Sequence, residues 1–147
     1  QIKSSLNQLK KTYTEYLCST KYAKVILCGD FNSTNKSAIY HLLTTGSCEK
    51  TFKEQIYGTN SHCTPVKANY SPGYEFESLT YKAFNHEFKT FMVKDLVQDV
   101  IDFMFYTKNG FQLKKSLAPY NYYKYGFIPN KYIASDHVAI GGVLKLY

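Results

Sequence analysis

Apolar residues recur at spacings of three and four over the first twenty positions: Ile2, Leu6, Leu9, Tyr13, Tyr16 and Leu17. That period predicts a helix with one apolar face and with Lys3, Lys10 and Lys11 outside it. The pattern then changes. Residues 23–28 (AKVILC) form a short continuous apolar run, which predicts a buried strand. Gly29 ends the run, and Asp30-Phe31-Asn32-Ser33 follows as a turn. Ser37 to Leu43 predicts a second helix, stopped near Gly46. Between 46 and 76 the periodicity fades among Gly46, Gly58, Pro65, Pro72 and Gly73, so a long irregular connection is expected, with room for one short helix. Beyond it, Ser78–Phe84, Glu87–Val93, Val100–Tyr106 and Phe111–Leu117 predict strands, and Asn109-Gly110 a hairpin turn. The tyrosine-rich stretch Tyr120–Tyr125 predicts a loop, and Val138–Tyr147 the last strand. This order of elements is that of an α/β fold in which helices cover a sheet.

Composition narrows the classes. A chain of 147 residues, 44% hydrophobic and 20% charged, suits one globular domain and not a disordered one. No run approaches the ~20 apolar residues that span a bilayer, and no signal-peptide pattern is present, so no membrane partner is expected. The chain begins with Gln1 and not Met, which leaves room for an internal start in a longer protein. The net charge is +7 and every basic residue is lysine. A positive surplus suits a polyanionic partner; a drift toward Lys, Asn and Tyr accounts for it equally well. Cys18, Cys28, Cys48 and Cys63 form no CxxC pair, so zinc-ribbon spacing is absent. Cys28, inside the apolar run, is expected in the core. The cysteine usage fits a reducing interior compartment.

Three stretches at predicted strand ends carry candidate chemistry. In Gly29-Asp30-Phe31-Asn32-Ser33, a carboxylate and an amide stand two residues apart just past a strand. Asp30 could bind a metal or take a proton from water, and Asn32 could donate to a phosphate oxygen; an ordinary Asp/Asn turn has the same residues. In Ile101-Asp102-Phe103-Met104-Phe105-Tyr106, a carboxylate lies inside an apolar strand, where an unpaired charge is costly. Asp102 therefore needs a partner. Ser135-Asp136-His137 precedes the last strand, and His137 is the candidate for that partner. A carboxylate orients an imidazole and favours its charged form. Such an imidazolium can stabilise charge on a phosphoryl oxygen. His41, His62 and His86 carry no assigned role, and His62-Cys63 alone is too small a set for a metal site.

The ordered set GDFNS, IDFMFY and SDHVAI resembles the C-terminal half of the endonuclease/exonuclease/phosphatase superfamily. Within it, residues 29–33 followed by 37–43 look most like the deadenylase branch, which contains the carbon catabolite repressor nuclease of the Not complex, nocturnin and the angel proteins. Residues 101–106 are close to that branch's Ile-Asp-Tyr-Ile-Phe-Tyr pattern. The resemblance implies that residues 1–147 are the C-terminal part of such a domain, half of a four-layered αββα sandwich. It implies Mg2+-dependent hydrolysis, with Mn2+ as a substitute, of poly(A) RNA from its 3′ end, releasing 5′-AMP. By the same resemblance, Asp30 contacts the metal region and helps activate water, and Asn32 holds the scissile phosphate. Asp102 orients His137, His137 stabilises the transition state, and Asp136 sits beside the metal. RNA and other subunits of a deadenylase complex are the implied partners, in the cytoplasm or nucleus. Another phosphodiesterase or phosphatase of the superfamily (acting on 2′,5′-oligoadenylate, a dinucleotide, DNA or a phosphoinositide) and a non-catalytic binding module are the alternatives.

Two departures qualify the resemblance. The family's metal-binding Glu and an earlier Asn belong to the N-terminal half of the fold, and no matching segment precedes Asp30, so the chain alone is expected to be inactive. The family's base-stacking aromatic, five residues before the motif Asp, is Val97 here. Phe91 and Tyr106 are the candidates to replace it.

Overall fold

The computed structural model describes residues 24–47, 75–93 and 97–147. The helix expected over residues 1–20 and most of the irregular connection, with Cys18, Cys48, Cys63 and His62, lie outside the described residues.

Strand β5 (Asp102–Thr107) organises the structure, because it pairs antiparallel on both sides. β1 (Ile26–Asp30) lies along one edge and β2 (Phe76–Ser78) along the other. Period-two alternation sends Phe103 and Phe105 to the core face, opposite Gly29 and Leu27 of β1. These two rings stack on each other, with centroids 5.3 Å apart. Phe31 meets both edge-on, and Leu43, Phe76 and Val100 complete the buried cluster. The mean area rule puts the burial of each such ring at roughly 1.5–3 kcal/mol.

Helix α1 (Ala38–Thr45) begins where it was expected. The Ser37 hydroxyl accepts from the Tyr40 N–H at 3.2 Å, which satisfies one orphan donor of the first turn. Gly46, at φ 76°, ends the helix in the left-handed region and donates its N–H to Leu42 O. Ala38, Leu42 and Leu43 form its buried face.

The strand expected over Ser78–Phe84 is instead the end of β2 followed by a helix, α2 (Leu79–Phe84). The alternation of Leu79, Tyr81 and Ala83 imitates a strand. However, the buried residues are the neighbours Leu79 and Thr80, whereas Tyr81 is half exposed. Ser78 caps this helix and Asn85, at φ 60°, closes it. α2 lies against β2, β5 and β6 (Phe111–Ser116). β6 pairs antiparallel with β7 (Gly142–Leu146). The fit there is close: a Cβ on Gly142 would stand 2.6 Å from Lys115 O and 2.8 Å from Leu79 Cδ1.

Asn109-Gly110 makes a tight turn, with the Gly110 N–H donating to Thr107 O at 2.9 Å, yet no hairpin results. β5 pairs with β1 and β2, and β6 with β7, so the turn passes the chain from one sheet to another. The expected strand 87–93 shrinks to β3 (Phe91–Val93), paired with β4 (Val97–Asp99). The tyrosine-rich loop contains a short helix, α3 (Tyr122–Tyr125), capped by Asn121. β1 is not buried on both faces. Val25, Leu27 and Phe31 pack on the core, whereas Ile26 and Cys28 on the alternate face are exposed, so Cys28 is not a core residue. The architecture is mixed α/β with antiparallel sheets, and among the described residues no helix is long and apolar enough to cross a membrane.

Candidate functional site

Register places the two strand-end acids together. Asp30 ends β1, Asp102 begins β5, and the two are cross-strand partners. Directly opposed residues project from the same face, here the face away from Phe103 and Phe105. Like charges so placed repel each other, and a cation between them removes the cost.

His137 partners Asp102 there. Its Nδ1–H donates to Asp102 Oδ2 at 2.9 Å. The backbone brings it there. Residues 136–138 run antiparallel beside 90–92, with the Met92 N–H donating to Asp136 O and the Val138 N–H to Thr90 O, each at 2.8 Å. The Ser135 hydroxyl accepts from the His137 N–H at 3.0 Å, which shapes the turn. The Phe91 ring packs against the imidazole, centroids 4.9 Å apart. Nε2 makes no hydrogen bond among the described residues and stands 3.9 Å from Asp136 Oδ1. The side chain of His137 is 31% exposed and that of Asp102 16%, so the pair is sheltered but reachable.

Two opposing influences set the charge of this imidazole. Burial, the largest single one, lowers its pKa. The hydrogen bond and charge of Asp102, joined by the charges of Asp136 and Asp30, outweigh it together, and the pKa rises above 6.5.

Asn32 serves the same rim. Its backbone N–H donates to Asp30 Oδ1 at 2.7 Å and its Nδ2 to Asp30 Oδ2 at 3.2 Å. Asn32 holds φ 47°, a left-handed conformation that asparagine tolerates better than most residues. The Phe31 N–H donates to Ile101 O at 2.8 Å and fastens the turn to β5. The structure thus brings Asp30, Asn32, Asp102, Asp136 and His137 to one rim. Among the described residues no group of three or more His, Cys, Asp or Glu is arranged to hold a metal ion.

Thr90 had no signal beyond membership of an expected strand, and it is the hub of the site's backbone. It is buried, its Oγ1 accepts from the N–H groups of Ile101 and Asp102 at 3.1 and 3.0 Å, and its carbonyl accepts from Val138. One threonine therefore ties the segment carrying Asp102 to the segment carrying His137. The candidate stacking aromatics fare differently. Tyr106 is fully buried and donates its hydroxyl to Glu77 Oε2 at 2.8 Å, so it is not free to stack on a base. Phe91 is half-buried beside His137. His41 lies in α1 as expected, and the His86 Nδ1 contacts Phe84 O just past α2.

The chain is similar in sequence to proteins named CCR4-Not complex 3′-5′-exoribonuclease subunit Ccr4. It is 27% identical to that of Debaryomyces hansenii over 147 residues, covering 89% of this chain and 16% of the relative. It is 29% identical to that of Schizosaccharomyces pombe over 152 residues, covering 96% of this chain and 20% of the relative. For Coccidioides immitis the identity is 31% over 134 residues, 83% of this chain and 16% of the relative. The chain therefore spans a fifth or less of the length of these relatives. No protein-family model matches it.

Proposed function

We propose that this chain is the C-terminal part of a metal-dependent phosphodiesterase domain of the endonuclease/exonuclease/phosphatase type, half of a four-layered αββα sandwich, acting on the 3′ end of RNA and foremost on poly(A). The observation that carries the reading is the Asp102–His137 hydrogen bond at the end of β5, opposite Asp30. Similarity to exoribonuclease subunits over most of the chain supports the choice of RNA.

Asp102 holds the imidazole through Nδ1, and Nε2 is left without a hydrogen bond among the described residues. The imidazolium then donates to a non-bridging phosphoryl oxygen as negative charge builds there, the kind of preorganised donor that contributes most in a sheltered site. Asp30 accepts the proton of the attacking water. The new bond forms from that water oxygen to phosphorus as the bond to the 3′ oxygen of the upstream nucleotide breaks; that oxygen takes a proton from solvent, to which Asp30 returns its own. The product is a nucleoside 5′-monophosphate. Asn32 braces Asp30 and contacts the scissile phosphate. Asp30 and Asp136 would hold Mg2+, since their carboxylates are the hard oxygen donors that this ion prefers. There Mg2+ or Mn2+ would supply Lewis-acid polarisation of the phosphodiester. Because the relatives are named as subunits of the CCR4-Not complex, assembly with other deadenylase subunits in the cytoplasm or nucleus belongs to the same proposal.

The test uses the full-length protein and a 5′-labelled oligo(A). Asp30→Ala and His137→Ala each lower turnover by about 10²–10⁴-fold, the usual range for a lost proton-transfer or positioned donor group. EDTA abolishes the reaction and Mg2+ restores it. Turnover retained in either variant refutes the assigned roles.

A further inference from the structure

The positive charge is unevenly placed. Residues 108–147 contain six lysines and a single acidic residue, Asp136, so most of the net +7 lies in the last forty positions. Aromatic residues crowd part of the same segment, six of them between 120 and 132.

A solvated loop of that composition would need no explanation if it were loose, but this one is built. Ile128 is fully buried beneath it. Asn130 knits it from within: its Oδ1 accepts from the N–H groups of Tyr132 and Ile133 at 2.9 and 3.0 Å, and its Nδ2 donates to Phe127 O at 3.0 Å. The Tyr122 hydroxyl donates to Lys89 O at 2.7 Å, which joins the loop to the residue before Thr90. This braced backbone turns its rings outward. Tyr123 is fully exposed, Tyr132 is 80% exposed, and Tyr125 and Phe127 are about half exposed. Together these outward rings form an aromatic patch of the kind that marks an interaction surface. The cations are interleaved with them: Lys124 Nζ lies 5.0 Å from the centre of the Tyr125 ring and Lys131 Nζ 4.8 Å from that of Tyr132.

From this we infer that residues 120–132 form a platform for single-stranded RNA, with Tyr123 and Tyr132 stacking on unpaired bases and Lys124 and Lys131 meeting the phosphates between them. Alternating π faces and point charges match such a strand, whose bases and phosphates alternate in the same way. The loop leads directly into Ser135-Asp136-His137 along the chain, and the Tyr122–Lys89 bond ties it to the segment that carries Thr90. The inference rests on the phosphodiesterase reading only for its substrate class.

Fluorescence anisotropy with a labelled single-stranded oligo(A), using the full-length protein with His137→Ala to prevent turnover, tests it. The double variant Tyr123→Ser/Tyr132→Ser binds at least about tenfold more weakly, as expected for lost stacking, whereas Tyr123→Phe/Tyr132→Phe retains affinity. Lys124→Gln/Lys131→Gln flattens the dependence of affinity on salt. A duplex of the same sequence binds less well than the single strand, because its bases are already stacked. Equal affinity in the Ser and parent proteins, or equal loss in the Phe variant, overturns the platform; a protein-docking face would give the first result. Hydrolysis of a small diester, bis(p-nitrophenyl) phosphate, by the protein with His137 intact reports the catalytic reading separately. A failure of one is thus not mistaken for a failure of the other.

Discussion

Asp102 is an acid in an apolar strand, and its need for a partner is met by one imidazole nitrogen at 2.9 Å. The consequences can be measured at that residue. Asp102→Asn removes both the charge and the charge-assisted bond, so the His137 pKa falls, and a histidine Cε1–H titration followed by NMR reads the fall directly. An unchanged pKa would mean that Asp30 and Asp136 alone hold the proton. The same pair gives stability a pH dependence. The pKa of His137 in the folded protein lies above the ordinary 6.5, so the fold binds the proton more tightly than the unfolded chain does. That stabilisation is complete below 6.5 and is lost as pH rises through the folded value. The urea midpoint should therefore drop across that window, and His137→Gln should remove this part of the slope.

At the scale of elements, the structure is legible where a local signal and a tertiary demand agree. Ser37 and Gly46 mark the ends of α1 because a hydroxyl can take the first orphan N–H and a glycine can enter the left-handed region. The β5 acid declared its own need for a partner, and the three motif stretches meet at one rim. Legibility ends where two patterns coincide. Leu79-x-Tyr81-x-Ala83 alternates like a strand, and only the capping by Ser78 and the packing of Leu79 against β6 and β7 decide for helix. Asn109-Gly110 makes the turn it should, but which strands then pair is a property of the sheets and not of two residues. Thr90 was invisible because a buried hydroxyl that accepts two backbone bonds leaves no period and no motif. Its removal gives a test at this scale. Thr90→Val keeps the shape and leaves the N–H groups of Ile101 and Asp102 without their acceptor, at a cost of about 1–3 kcal/mol. Chemical denaturation measures that loss. The His137 pKa should fall with it, since the two segments lose their common tie, and Thr90→Ser should restore both.

Across the whole molecule, β5 divides the labour between its two faces. Phe103 and Phe105 build the core on one side, and Asp102 meets Asp30 and His137 on the other. Residues distant in the chain are thus held at the rim by a core that does none of the chemistry. Phe105 is the centre of that core, fully buried and within 5.6 Å, ring centre to ring centre, of Phe31, Tyr40 and Phe103. Phe105→Ala should therefore cost about 3–5 kcal/mol, the range for truncating a buried aromatic. With no tryptophan in the chain, tyrosine fluorescence in urea follows the transition. The division of faces makes a sharper claim than the loss of stability. In the fraction that stays folded, the raised His137 pKa should persist, because nothing on the Asp102 side of β5 has been removed. A pKa that collapses to its ordinary value while the protein is still folded would show that the two faces are coupled, and that the site depends on the core for its electrostatics as well as its placement.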